Sequence, residues 1–195
     1  MRKGEATKQA ILDDAAEIAG TVGLQGLTIG SLAAKAELSK SGLFAHFKSK
    51  EALQLQVLQH AREVFVDVIL RPAVAQPRGV PRLRALFDGW IAWTRGDILP
   101  GGCPFIAAGV EFDDQPGAVH DFLVADQRDL VETVGTIVRS GIPEGHFRAD
   151  VDPEQFAQDL YGVIVAFAHF TRLLDDPGAE DRARRAFEAL LTAAR

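Results

Sequence analysis

Residues 28–53 read TIGSLAAKAELSKSGLFAHFKSKEAL and constrain the fold more than any other stretch of the chain. Ile29, Leu32, Ala33 and Ala36 recur at helical spacing and give one apolar face. Thr28 stands just ahead of them, where a hydroxyl can satisfy an orphan N–H of the first helical turn. Glu37-Leu38 breaks the pattern, and Ser39 can cap a second short helix. In that helix Leu43 and Phe47 face inward at i, i+4, which leaves Lys40, Ser41, Phe44 and His46 outward. Ser49 caps a third helix, with Glu51 in its first turn, where the helix dipole favours a negative charge.

Two short helices and a tight turn match a helix-turn-helix, whose second helix enters the DNA major groove while the first crosses the backbone. Ser39-Lys40-Ser41-Gly42 suits the start of such a second helix, being small and polar outward. On pattern alone the same residues also suit an ordinary helical hairpin. The residues go further. Thr28-Ile29-Gly30-Ser31-Leu32-Ala33, the run from Leu38 to Phe47, and Ser49-Lys50-Glu51-Ala52-Leu53 closely resemble the N-terminal domain of tetracycline-repressor-like (TetR-type) transcription regulators, over roughly residues 6–60. The resemblance implies a double-stranded DNA operator as partner. It implies Lys40 and Ser41 near base edges, Ser39 and Thr28 near the backbone, and Lys48, Lys50 and His46 on phosphate. Phe44 stands where these regulators often carry Tyr, and it has no hydroxyl to give a phosphate. It can still stack on a sugar or touch a thymine methyl.

The net charge of −6 looks wrong for a DNA binder until it is mapped. Residues 1–60 hold Arg2, Lys3, Lys8, Lys35, Lys40, Lys48 and Lys50 against Glu5, Asp13, Asp14, Glu17, Glu37 and Glu51, a slight basic excess. The acidic excess lies in the remainder, which phosphate would repel, so the N-terminal end is expected to face DNA with modest non-specific affinity. One cysteine, Cys103, excludes an internal disulfide and fits a reducing compartment. MRKGEATKQA lacks the apolar core of a signal peptide, and the apolar run from Leu160 to Phe170 is far short of the about 20 residues that span a bilayer. The expected location is cytoplasmic, with no membrane partner.

Taken in order, the chain predicts an all-α fold of about nine helices and no strand. A helix-turn-helix three-helix DNA-binding domain is expected over 1–48, a connecting helix over 49–72, and a helical bundle for effector binding and dimerisation over 73–195. The first helix runs from Glu5 to Val22 with Ile11, Ala15, Ile18 and Val22 inward, and Gly23 stops it. The fourth carries one stripe of Leu53, Val57, Ala61, Val64 and Val68 and another of Leu58, Phe65 and Ile69. These predict contacts with two bodies, and Pro72 ends the helix. Further helices follow Pro81, Pro104 and Pro116. Asp152-Pro153-Glu154-Gln155 offers a cap, a proline at the first position and a capping-box glutamine. The helix it opens is apolar nearly all round between Leu160 and Phe170, as a helix covered on more than one side would be.

No catalytic set emerges. The five histidines show no metal-ligand spacing. Cys103 has neither base nor oxyanion donors near it in sequence. The pairs Asp13-Asp14, Asp113-Asp114 and Asp175-Asp176 suit capping and solvation. No enzyme activity, metal or cofactor is expected. The aromatic residues invite more. Trp90, Trp93, Phe105, Phe112 and Phe122 cluster in the middle of the chain, with Phe65, Tyr161 and His169 on helices expected to neighbour them. They can be plain core or the wall of an apolar ligand cavity. TetR-type regulators bind small effectors in this region, and the Gly101-Gly102-Cys103-Pro104-Phe105 and Glu111-Phe112-Asp113-Asp114 runs resemble a subgroup of their C-terminal domains. The resemblance therefore implies a repressor released from its operator by a small apolar or amphipathic molecule. It also implies a homodimer built on Leu160, Ile164, Phe187, Leu190 and Leu191. The competing readings are a DNA-binding protein without effector and a helical enzyme.

Overall fold

The computed structural model describes residues 3–195, and of residues 3–7, 44 and 45 the backbone alone. The elements are α1 (Lys3–Val22), α2 (Ile29–Lys35), α3 (Lys40–His46), α4 (Lys50–Phe65), a π-helical segment (Val66–Leu70), α5 (Arg71–Val74), α6 (Val80–Arg95), α7 (Pro104–Glu111), α8 (Ala118–Gly141), α9 (Pro153–Arg172) and α10 (Ala179–Ala193). With Lys50 to Val74 counted as one continuous helix, the described residues form nine helices and no strand. By packing, the chain divides into two compact units. One comprises residues 1–64 and 96–124, the other 65–95 and 125–195.

In the first unit, Ile11, Leu12, Ala15, Ala16 and Ala19 line the inner face of α1. The expected stripe ends differently. Val22 is 57% exposed, because the chain turns away at Gly23, whose φ of +81° closes α1 in the left-handed region. Leu24, Leu27, Leu32, Leu43, Phe47, Leu53, Val57 and Leu58 complete the core. Each such buried Leu, Val or Phe is worth about 1.5–3 kcal/mol, enough together to hold α2 and α3, which are too short to stand alone.

Two polar side chains are buried among them. Gln54 donates from Nε2 to the Leu24 carbonyl at 2.8 Å. His60 has Nδ1 2.9 Å from Gln9 Nε2 and Nε2 2.7 Å from Asp13 Oδ1, so both ring nitrogens are satisfied against α1. Neither residue stands out in the sequence, since both occupy helical positions beside apolar ones.

The second unit is organised around α6, whose Leu83, Leu86, Phe87, Trp90, Ile91 and Trp93 are all buried. Phe87 stacks on Phe187 of α10, and ion pairs edge the same helix pair: Arg84 with Glu188, Arg184 with Asp88 and Glu180, and Arg95 with Glu180. The hydrogen bond from Arg84 holds the Glu188 carboxyl below the usual glutamate range and raises Arg84 in turn. Asp152 caps α9 as the sequence predicts, accepting from Glu154 and Gln155 N–H at 2.9 and 3.0 Å. Gln155 does not close a capping box; its amide turns down the helix to Asp159 at 2.8 Å.

The π-helical segment overturns two expectations. Val68 is not on an inward stripe but 50% exposed, and Pro72 does not end the helix, which continues to Val74. Phe65, Ile69 and Ala73 are the buried row. With 3.6 residues per turn, each step of four drifts by about 40°, so a plain α-helix would wind this row away from its partners. The wider π turn absorbs the drift. It also relieves the clash a proline makes with the carbonyl four residues before it. Gly89 on α6 accepts the row closely: a Cβ there would lie 2.7 Å from Ile69 Cγ2.

Candidate nucleic-acid interface and aromatic cluster

The helix-turn-helix is set by its caps. Thr28 Oγ1 accepts from the Ser31 N–H at 3.0 Å, while Ser31 Oγ accepts from the Thr28 N–H at 3.1 Å, a reciprocal capping box on α2. Ser39 Oγ accepts from the Gly42 N–H at 3.1 Å and caps α3. Leu43 and Phe47, both fully buried, pin the inner face of α3. The outer face is left to solvent.

Thr28, Ser39, Lys40, Ser41, His46, Lys48 and Lys50 are all exposed. The side chain of Phe44 lies outside the described residues. The structure brings Ser39 and Ser41 together, with hydroxyls 3.1 Å apart. It lays Lys40 over the first turn of α2, where a Cβ added to Gly30 would touch Lys40 Cε at 3.8 Å. Lys50 is engaged within the chain, donating from Nζ to the Gln25 carbonyl at 2.6 Å. This arrangement presents short hydroxyls and an ammonium at the start of an exposed helix, with further lysines behind it. Such groups position a protein on phosphate and reach base edges.

The bacterial regulatory protein tetR family matches residues 11–57, and the tetracyclin repressor-like C-terminal domain matches residues 79–187. The chain belongs to the TetR family. It is a DNA-binding transcriptional regulator. No curated protein matches it. Among solved structures, a TetR transcriptional regulator from Chloroflexus aurantiacus is similar at 26% identity and TM-score 0.86, covering 98% of this chain and 96% of that one. A TetR family regulator from Cytophaga hutchinsonii is similar at 19% identity and TM-score 0.84, covering 100% and 98%. AibR, solved with isovaleryl coenzyme A and operator DNA, is similar at 23% identity and TM-score 0.76, covering 95% and 98%.

In this TetR-family chain the eight aromatic and histidine residues singled out from sequence do not fall in one unit. Phe65, Trp90, Trp93 and Tyr161 cluster in the second. Phe65 stands edge-on to Trp93 at 5.4 Å and to Trp90 at 6.2 Å, and Trp90 lies 6.0 Å from Tyr161. Trp93 Nε1 and Thr94 Oγ1 are buried there without a hydrogen-bond partner. His169 is exposed and lines an open groove along α9. Phe105 and Phe112 are buried in the first unit, where Phe122 is half-buried.

The five residues assigned to a dimer contact also divide. Leu160, Ile164, Phe187 and Leu191 are at most 2% exposed in the single chain. They are spent on the packing of α9 and α10 and offer no surface to a second copy. Leu190 alone reaches the groove, with Tyr161, Gly162, Val163, Ala166 and Phe170.

Among the described residues no group of His, Cys, Asp or Glu could hold a metal, and no helix is long and apolar enough to cross a membrane. Cys103 sits at the start of α7 as its N-cap residue, half-buried.

Proposed function

We propose that this TetR-family chain is a homodimeric, cytoplasmic repressor that a small apolar or amphipathic molecule releases from its operator. The observation that carries the reading is the exposed, doubly capped α3, with Ser39, Lys40 and Ser41 at its start. Lys48 and Lys50 serve phosphate. One such helix reads too few bases for specificity, so two copies related by a two-fold axis are needed, with recognition helices about 34–36 Å apart. The exposed face of α9 around Gly162 and Ala166, with Leu190 of α10 beside it, supports the dimer contact, because small residues there allow close approach and Leu190 is apolar.

The effector site proposed is the Phe65–Trp90–Trp93–Tyr161 cluster. The unpartnered Trp93 indole N–H and Thr94 hydroxyl support it, because buried donors without partners are rare and a ligand acceptor can satisfy them. The ligand of AibR, an acyl thioester, fits the same chemistry of an apolar end and polar handles.

The test is a mobility shift on DNA from upstream of the chain's own gene, with and without a metabolite extract. Retardation that the extract reverses is expected. Retardation that no extract reverses favours the effector-independent reading. No retardation at low salt defeats DNA binding and reopens the helical enzyme.

A further inference from the structure

Gln25 lies in the loop between α1 and α2, three residues ahead of the Thr28 cap. Three of its four polar groups are held. Its N–H donates to Glu111 Oε2 at 2.8 Å, its side-chain Nε2 donates to the Glu111 carbonyl at 3.1 Å, and its own carbonyl accepts from Lys50 Nζ at 2.6 Å. Gly23 makes room for this: a Cβ there would collide with Glu111 Oε1. A second grip lies beside it. Gly20 and Gly101 approach so closely that a Cβ on Gly20 would sit 2.7 Å from the Pro100 carbonyl oxygen. On the far side, Glu51 in the first turn of α4 accepts from the Ala118 N–H at 3.3 Å, where α8 begins.

These residues all belong to the first unit. The segment 96–124 follows α6 of the second unit and runs into α8, whose residues from 125 on belong to that unit, yet it packs with the helix-turn-helix. Its attachment to the loop that feeds α2 is polar and specific, not merely apolar. Glu111 contributes both a carboxylate and a carbonyl to one residue 86 positions away.

We propose that Glu111 is the positioning residue through which segment 104–118 sets the helix-turn-helix, by clamping Gln25. The proposal rests on the DNA-binding reading above. A displacement of α7 moves the root of α2 through this clamp, and DNA held by α2 and α3 reports back on α7, because coupling between sites is reciprocal.

The test is hydrogen–deuterium exchange on the full chain, with and without the retarded duplex. In the wild type, DNA is expected to change amide protection in residues 28–47 and also in 104–118. Glu111→Ala is expected to keep the first change and lose the second. Glu111→Gln, whose amide oxygen still accepts from the Gln25 N–H, is expected to retain both, a rescue that a merely structural role would not give. If Glu111→Ala fails to fold, Gln25→Ala removes only the side-chain hydrogen bond to the Glu111 carbonyl and is expected to weaken the 104–118 response. A 104–118 response that survives in Glu111→Ala, or is undiminished in Gln25→Ala where that stands in, overturns the proposal, as does its absence in a DNA-binding wild type. A wild type that does not bind the duplex overturns the DNA-binding reading itself, and the clamp's role with it.

Discussion

The rings of Phe87 and Phe187 lie face to face, their centroids 4.1 Å apart and their planes within 10° of parallel. This pair fastens α10 to α6 inside one chain, so Phe187 is a core residue. Phe187→Ala is expected to cost about 3–5 kcal/mol of stability, the range for emptying a buried aromatic site. Urea denaturation measures it. A variant that keeps wild-type stability and merely loses the dimer would place Phe187 at the subunit contact instead.

Leu190→Glu is expected to behave in the opposite way. The residue is half-buried at the groove on α9, so a charge there leaves the chain folded but sets like charges against each other across a two-fold contact. Sedimentation should show monomers with full helix content and no operator binding. Dimers that persist in Leu190→Glu would move the contact to another face.

Lys50 and Lys40 should separate by role. If Lys50 leaves the Gln25 carbonyl for phosphate on DNA, Lys50→Ala should lower affinity for every sequence and shrink the slope of log K against log salt by about one unit. Lys40→Ala should alter preference among operators, by about 1–3 kcal/mol if the ammonium makes a good base contact. Titrations at several salt concentrations decide it. An unchanged slope in Lys50→Ala means that its bond to Gln25 persists on DNA.

Trp90→Ala tests the aromatic cluster. Operator affinity should hold while release by the active metabolite fraction is lost. A normal release would make the cluster plain core.

The Arg84–Glu188 pair gives a pH signature. The folded-state pKa of Glu188 is depressed, so its stabilisation is complete above the ordinary glutamate range and disappears as pH falls through the folded value. Both side chains are about half exposed, which keeps the pair within the ~0.2–1 kcal/mol of surface ion pairs. Glu188→Gln should therefore lower the melting temperature slightly at pH 7, by a deficit that shrinks as pH falls below the ordinary glutamate range. A deficit that does not change with pH would mean packing, not charge.

What the sequence made legible was local. Thr28, Ser39, Ser49 and Asp152 announce helix starts because a cap lies within three residues of the N–H it satisfies. What it hid was distant or ambiguous. Leu160 and Ile164 sit in an all-round apolar run, and nothing in such a run says which side its own chain covers. Glu111 and Gln25 are ordinary polar residues far apart in sequence, so no periodicity links them. Phe105 and Phe112 look like partners of Trp90 by composition, yet the chain folds them into the other unit.

The π-helical segment from Val66 to Leu70 gives the chain a place where length is negotiable. It holds one surplus residue over an ordinary helix. Deleting exposed Val68 would let the run close into plain α-helix, with Phe65 and Ile69 then three apart and still on one face. The same deletion at Gln59 has no surplus to consume and would swing every later side chain by about 100° about the axis. Loss of a single residue is therefore tolerable in this helix at one short stretch and ruinous through the rest of it.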